Sequence, residues 1–156
     1  MLRWPFLTMF RESVFGNGFL ADVRGQGRAL GVCEGEKDFW LYGVDPGALA
    51  AGGETGAEAH FRFVQEFKTV LFDIAEDARN FDEFRREVEK FFYESNEAML
   101  EAWQTAVQEV KDGRGAPTDM PRKPAETPVS VVVSQLDMSA LNTSDNALEL
   151  ERAIAA

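Results

Sequence analysis

Two hydrophobic periods divide this chain, and they meet at Glu54 and Thr55. Upstream, between Gly18 and Val44, apolar residues come in short β-type runs, Phe19 to Arg24, Arg28 to Cys33 and Phe39 to Val44, separated by glycine and charge. Downstream, Ala57, Phe61, Val64, Phe67, Leu71, Ile74 and Ala78 follow at spacings of three and four, the stripe of an amphipathic helix. A pattern that begins with strands and then turns helical predicts an α+β fold, a three-stranded antiparallel meander packed on an amphipathic helix. Gly25-Gln26-Gly27 and Glu34-Gly35-Glu36-Lys37 have the composition of its two hairpin turns. The helix start is signed by Thr55-x-x-Glu58, in which the Thr55 hydroxyl accepts from the N–H of Glu58 and the Glu58 carboxylate reaches back to the N–H of Thr55.

A second start follows at Asn80-x-x-Glu83. Phe81, Phe84, Val88 and Phe91, continued by Met99, Ala102, Ala106 and Val110, predict one long helix from Phe81 to Lys111, with Ser95-Asn96 as its point of interruption or kinking. From Gly113 to Pro128, four prolines among sixteen residues exclude a helix or a central strand, so 113–128 reads as a linker between a 1–112 core and a 129–156 arm. The arm opens with the β-branched run Val129 to Ser134, a strand that returns to its own sheet or crosses to another protomer, and closes with a short helix from about Ala147. At the other end, Phe6, Phe10 and Val14 recur every four residues and predict a short helical lid on the core.

Composition narrows the function classes. The 156 residues carry a formal charge of −11, which argues against a nucleic-acid binder, while thirteen Phe and three Trp supply ample core. One Cys and one His leave no disulfide framework and little for a zinc site, which fits a reducing cytoplasm. The N-terminal apolar stretch is broken by Pro5, Arg11 and Glu12 and reads poorly as a signal peptide, and no run approaches the roughly 18 apolar residues that span a bilayer. No cofactor is expected. Gly25-x-Gly27 with Gly31 imitates a dinucleotide loop, but a strand rather than a helix follows it.

Candidate residues fall into three groups. Asp73, Glu76 and Asp77 lie along one end of the first helix; paired acids at this spacing can clamp a cation, but the solvated side of an amphipathic helix is much the better explanation, and no third ligand makes a metal site. Residues 54 to 101 hold thirteen Asp or Glu against six Lys or Arg, a net −7, and such a surface suits a basic protein partner. Trp40 and Tyr42 share one face of the third strand, either covered by the N-terminal segment or presented to a partner. Phe92 and Trp103, with Phe91 and Met99, lie beyond the reach of a three-stranded sheet and predict self-association as a dimer or higher even oligomer. His60 has no neighbouring nucleophile, and Cys33 reads as a small buried residue, so neither marks a catalytic centre.

Asp45-Pro46-Gly47 at the end of the meander, Gly53-Glu54-Thr55 at the helix start and Glu58-Ala59 within it resemble the HicB-like antitoxin fold over residues 18–80. The resemblance implies a small sheet packed on one helix and a protein that neutralises a small basic mRNA-cleaving toxin. The DNA-binding module common in that family has no counterpart here, since the tail from Gly113 carries four basic and six acidic residues. The expected function is therefore a non-catalytic, antitoxin-like protein-binding module. The alternative is a small metal-dependent nuclease of ribonuclease H-related architecture using Asp22, Asp45 or Asp73.

Overall fold

The computed structural model describes residues 2–113 and 129–137. The chain is α+β, but its sheet has five strands: β1 (Leu2–Gly16), β2 (Phe19–Gly35), β3 (Asp38–Asp45), β4 (Ala50–Gly53) and β5 (Ser130–Leu136). They are antiparallel in the order β1-β2-β3-β4, and β5 pairs with the first half of β2, from Leu20↔Leu136 to Gln26↔Ser130. The arm thus returns to its own sheet. The linker at 114–128 and the helix expected from Ala147 lie outside the described residues.

The N-terminal segment is a strand, not the helical lid that its spacing predicted. A recurrence of four is a multiple of the β period as well as close to the helical one, so Phe6, Phe10 and Val14 satisfy both. The intervening residues decide the matter: Trp4 and Thr8 are also buried, and the burial alternates along β1. Asn17 and Gly18, with Gly18 at φ 75°, then turn the chain tightly enough for Gly16 to pair with Phe19.

The first expected hairpin is likewise absent. Residues 19–35 form one continuous strand, because Gly25 and Gly27 serve close approach rather than a turn. A Cβ on Gly27 would sit 1.9 Å from the carbonyl oxygen of Asp45, and one on Gly25 would meet the ring of Phe92 at 3.0 Å. Glycine here makes room for neighbours, and neither residue has positive φ.

Three helices follow: α1 (Gly56–Asp77), α2 (Phe81–Tyr93) and α3 (Glu97–Lys111). Thr55 caps α1 by accepting from the N–H of Glu58 at 3.1 Å, while the Glu58 carboxylate accepts from the N–H of Glu54 rather than of Thr55. The buried face of α1 is Ala59, Phe63, Phe67, Leu71 and Ala75; of the expected stripe, Phe67, Leu71 and Ala78 are buried but Phe61 is 64% exposed. A spacing of four advances the contact line by about 40° per step, so this face winds slowly around the helix as it crosses a twisted sheet. Asn80 caps α2, accepting from the N–H of Glu83 at 2.9 Å.

The expected single helix from Phe81 to Lys111 is two. It stops at Tyr93 because Glu94 and Asn96 are tied to the end of β3: the N–H of Gly47 donates to Glu94, and the N–H of Asn96 donates to Val44, each at 3.0 Å. Asn96 then restarts the helix by capping Met99 at 3.2 Å. This connection carries the chain around the sheet. On one face, Phe10, Phe63, Phe67, Phe84, Val88 and Phe92 belong to the main core beneath α1 and α2, with the Phe10 and Phe67 rings 4.2 Å apart. On the other, α3 covers a separate small cluster of Leu30, Val32 and Ala106 with Tyr42, Met99 and Ala102.

Candidate functional site

The residues singled out from sequence do not form one site. Phe92 is fully buried in the main core and Trp103 is 6% exposed, its indole N–H donating to the carbonyl of Phe6 at 3.4 Å. Phe91 packs against the main core and Met99 against the second cluster. The apolar surface on which self-association was argued is therefore covered within one chain. Tyr42 lies half-buried beside α3, and Trp40, 38% exposed, stacks on it at 6.0 Å with an indole N–H bonded to Asp38. The N-terminal segment does not cover this pair.

Asp73, Glu76 and Asp77 are exposed along the last two turns of α1. There Asp77 lines a cleft of about 190 Å³ with Ile74, Ala78, Glu83 and Glu87. The cleft exists because Ala78 ends α1 and Asn80 starts α2 two residues later, which folds the acidic side of one helix end against a carboxylate pair one turn apart on the next. Ile74 and Ala78 give it an apolar floor.

Its electrostatics break a local rule. The C-terminal end of a helix carries a partial negative charge and favours Lys or Arg, yet the last turn of α1 has no basic residue and two acidic ones, Glu76 and Asp77. The carbonyls of Glu76 and Ala78 accept from a neutral donor, the Asn17 amide, at 3.3 and 3.1 Å. Elsewhere the acids find cations: Glu58 with Arg62, Glu12 with Lys68, Asp82 with Arg85. Among the described residues, Asp73, Glu76, Asp77, Glu83 and Glu87 form no ion pair. In the sequence Glu83 reads as part of a helix start, and Glu87 is not among the candidates. Their usable signal was the short Arg79-Asn80 connection, which forces the two helix ends together.

The carboxylates considered for a nuclease are dispersed. Asp22 pairs with Arg24 at 2.8 Å on β2 and Asp73 is on α1, while Asp45, buried, pairs with Arg28 at 2.6 Å and accepts from the Ser95 hydroxyl. No group of three or more His, Cys, Asp or Glu among the described residues is placed to hold a metal ion. The His60 and Phe6 rings meet at a tilt, 5.1 Å apart; the His60 Nε2 is buried without a partner, and burial pushes its pKa below the ordinary value. Cys33 is half-buried, its thiol donating to the carbonyl of Gly35. No helix among the described residues is long and apolar enough to cross a membrane.

Comparison of the chain with protein-family models, curated proteins and solved structures finds no match.

Proposed function

We propose that this chain is a non-catalytic protein-binding module, an antitoxin-like regulator, whose acidic cleft between α1 and α2 receives an arginine or lysine of a small basic protein. The observation that carries this reading is the set of unpaired carboxylates at the negative end of α1. Glu76 and Asp77 at the end of α1 raise the local potential energy of the free protein, and a cation placed there is attracted by them, by the α1 end and by the Glu83 and Glu87 carboxylates across the cleft. Residues that break a local stability rule without compensation within the fold are expected where function has set the sequence. The resemblance of residues 18–80 to HicB-like antitoxins, which cover small basic toxins, supports the same partner chemistry.

The test uses an arginine-rich peptide as probe. Amide shift mapping is expected to move Ile74–Ala78 and Glu83–Glu87 first, with shifts that shrink as salt rises past the ~8–10 Å screening regime. Asp77→Asn combined with Glu83→Gln and Glu87→Gln abolishes them. Shifts spread evenly over the acidic surface, or surviving in the triple variant, refute the site. Retention of a nucleic-acid duplex at physiological salt refutes the protein-binding reading altogether.

A further inference from the structure

The attachments of α3 are uneven along its length. At its start they are dense: the backbone bonds of Glu94 and Asn96 to the end of β3, the Ser95 hydroxyl on the buried Asp45 carboxylate, and Arg28, which pairs with Asp45 and lies over the Trp103 ring at 5.4 Å. Beyond Trp103 they thin out. The Trp103–Phe6 bond is 3.4 Å, past the usual range for N–H···O, and Arg3 reaches Glu109 only at 4.0 Å with both side chains about one-third exposed. The helix buries only Trp103 and Ala106, and the cluster beneath it is separate from the main core. Two cores that share no buried residue can lose contact one at a time.

We propose that α3 is a hinged flap, which opens about Glu94–Asn96 while the sheet and α1–α2 core stay folded. Opening uncovers Leu30, Val32 and Tyr42 next to the exposed Trp40, converting a covered sheet face into a continuous apolar one. The latch is Arg28, which lies over the Trp103 ring and is held there by Asp45, the carboxylate that the Ser95 hydroxyl also bonds. A detached helix of fifteen residues is marginal in water, so the open flap frays and does not persist as a separate rod.

Thiol modification measures this whether the flap swings or unfolds. In a Cys33→Ser background, Ala106→Cys places a thiol beneath α3 and Ala75→Cys places one in the α1 core, both at positions 1% exposed or less. The Ala106→Cys thiol is expected to react at least about tenfold faster under native conditions, and adding Ser95→Ala to speed it by roughly another tenfold, the loss of one hydrogen bond to a charged group, without changing Ala75→Cys. Equal rates at the two sites, or a Ser95→Ala effect that is the same at both or absent, overturns the proposal. Acrylamide quenching of Trp103 in a Trp4→Phe, Trp40→Phe chain gives an independent check: quenching that rises with Ser95→Ala supports the flap, and quenching that is unchanged overturns it.

Discussion

Phe61 and Phe63 lie two residues apart on α1 and have opposite fates, which makes the pair a sensitive test of the helix phase. Phe63 is 0% exposed and stacks on Phe10 at 6.1 Å; Phe61 is 64% exposed. Truncating Phe63 to Ala removes about 2–3 kcal/mol of transfer free energy and leaves a cavity that close-packed neighbours refill only partly, for a total of about 3–5 kcal/mol. Truncating Phe61 loses at most a third of the transfer contribution, with no cavity because water occupies the space, and Ala recovers about 0.5 kcal/mol in helix propensity. Its net effect is therefore below about 0.5 kcal/mol. Urea unfolding followed by tryptophan fluorescence measures both, and an unchanged slope would show that stability and not compactness has moved. In thermal melts the Phe63→Ala shift is expected at roughly 10 °C, taking about 3 °C per kcal/mol at this size. Equal losses, or a larger loss for Phe61→Ala, would show that α1 presents a different face to the sheet.

Gly27→Ala is expected to destabilise by at least about 1–3 kcal/mol, since the new Cβ collides with the Asp45 carbonyl and backbone must move; a neutral result in a urea melt would reinstate a turn at Gly25–Gly27. Asp77→Asn and Glu87→Gln together are expected to stabilise the chain slightly in thermal melts at low salt, by about a few tenths of a kcal/mol per site, with the gain vanishing at high salt, whereas Glu83→Gln gains nothing because it removes a carboxylate favoured in the first turn of α2; a loss of stability in the double variant would mean that those carboxylates hold the fold together. The pH dependence has two opposed arms. Burial keeps the His60 pKa below 6.5, so the unfolded chain takes the proton first and stability falls as pH drops below about that value; His60→Gln should flatten this slope, and an unchanged slope refutes it. Glu12 runs the other way: burial raises its pKa above 4.5 against the opposing pull of Lys68, so its contribution to stability is present at low pH and is lost as pH rises through that raised value; Glu12→Gln should weaken this arm.

What could be read in advance was local and chemically specific. Thr55 and Asn80 cap helices where their side chains said they would, Ser95-Asn96 marks the break between α2 and α3, and the β-branched run after Val129 forms a strand. The misreadings arose where one pattern served two structures. A spacing of four in Phe6, Phe10 and Val14 fits helix and strand alike, and the Asn17-Gly18 hairpin signal that decides between them was the stronger cue. Gly25 and Gly27 have the composition of a turn, while their actual requirement, the proximity of Asp45 and Phe92, depends on residues far along the chain. The phase of α1 was ambiguous because Phe61, Phe63, Val64 and Phe67 offer two overlapping stripes. Of the cleft, Asp77 was visible as a candidate; Glu83 and Glu87 enter with the structure, which sets the start of α2 against the end of α1.

β2 pairs with three other strands, and those pairings differ greatly in how far the chain must travel to make them. Both hairpins, β1–β2 and β2–β3, close through two-residue turns and can form on the microsecond scale of isolated hairpins. The β5 ladder joins positions more than a hundred residues apart, Leu20 with Leu136, so its closure entropy must be met before any of its hydrogen bonds or the burial of Val131 repays it. During synthesis from the N-terminus, β1, β2, β3 and the helices emerge first, and the edge of β2 from Leu20 to Gln26 stays open until the last strand arrives. Until then this seven-residue edge, which follows Phe19 and contains Val23, is open to pairing with a neighbouring nascent chain.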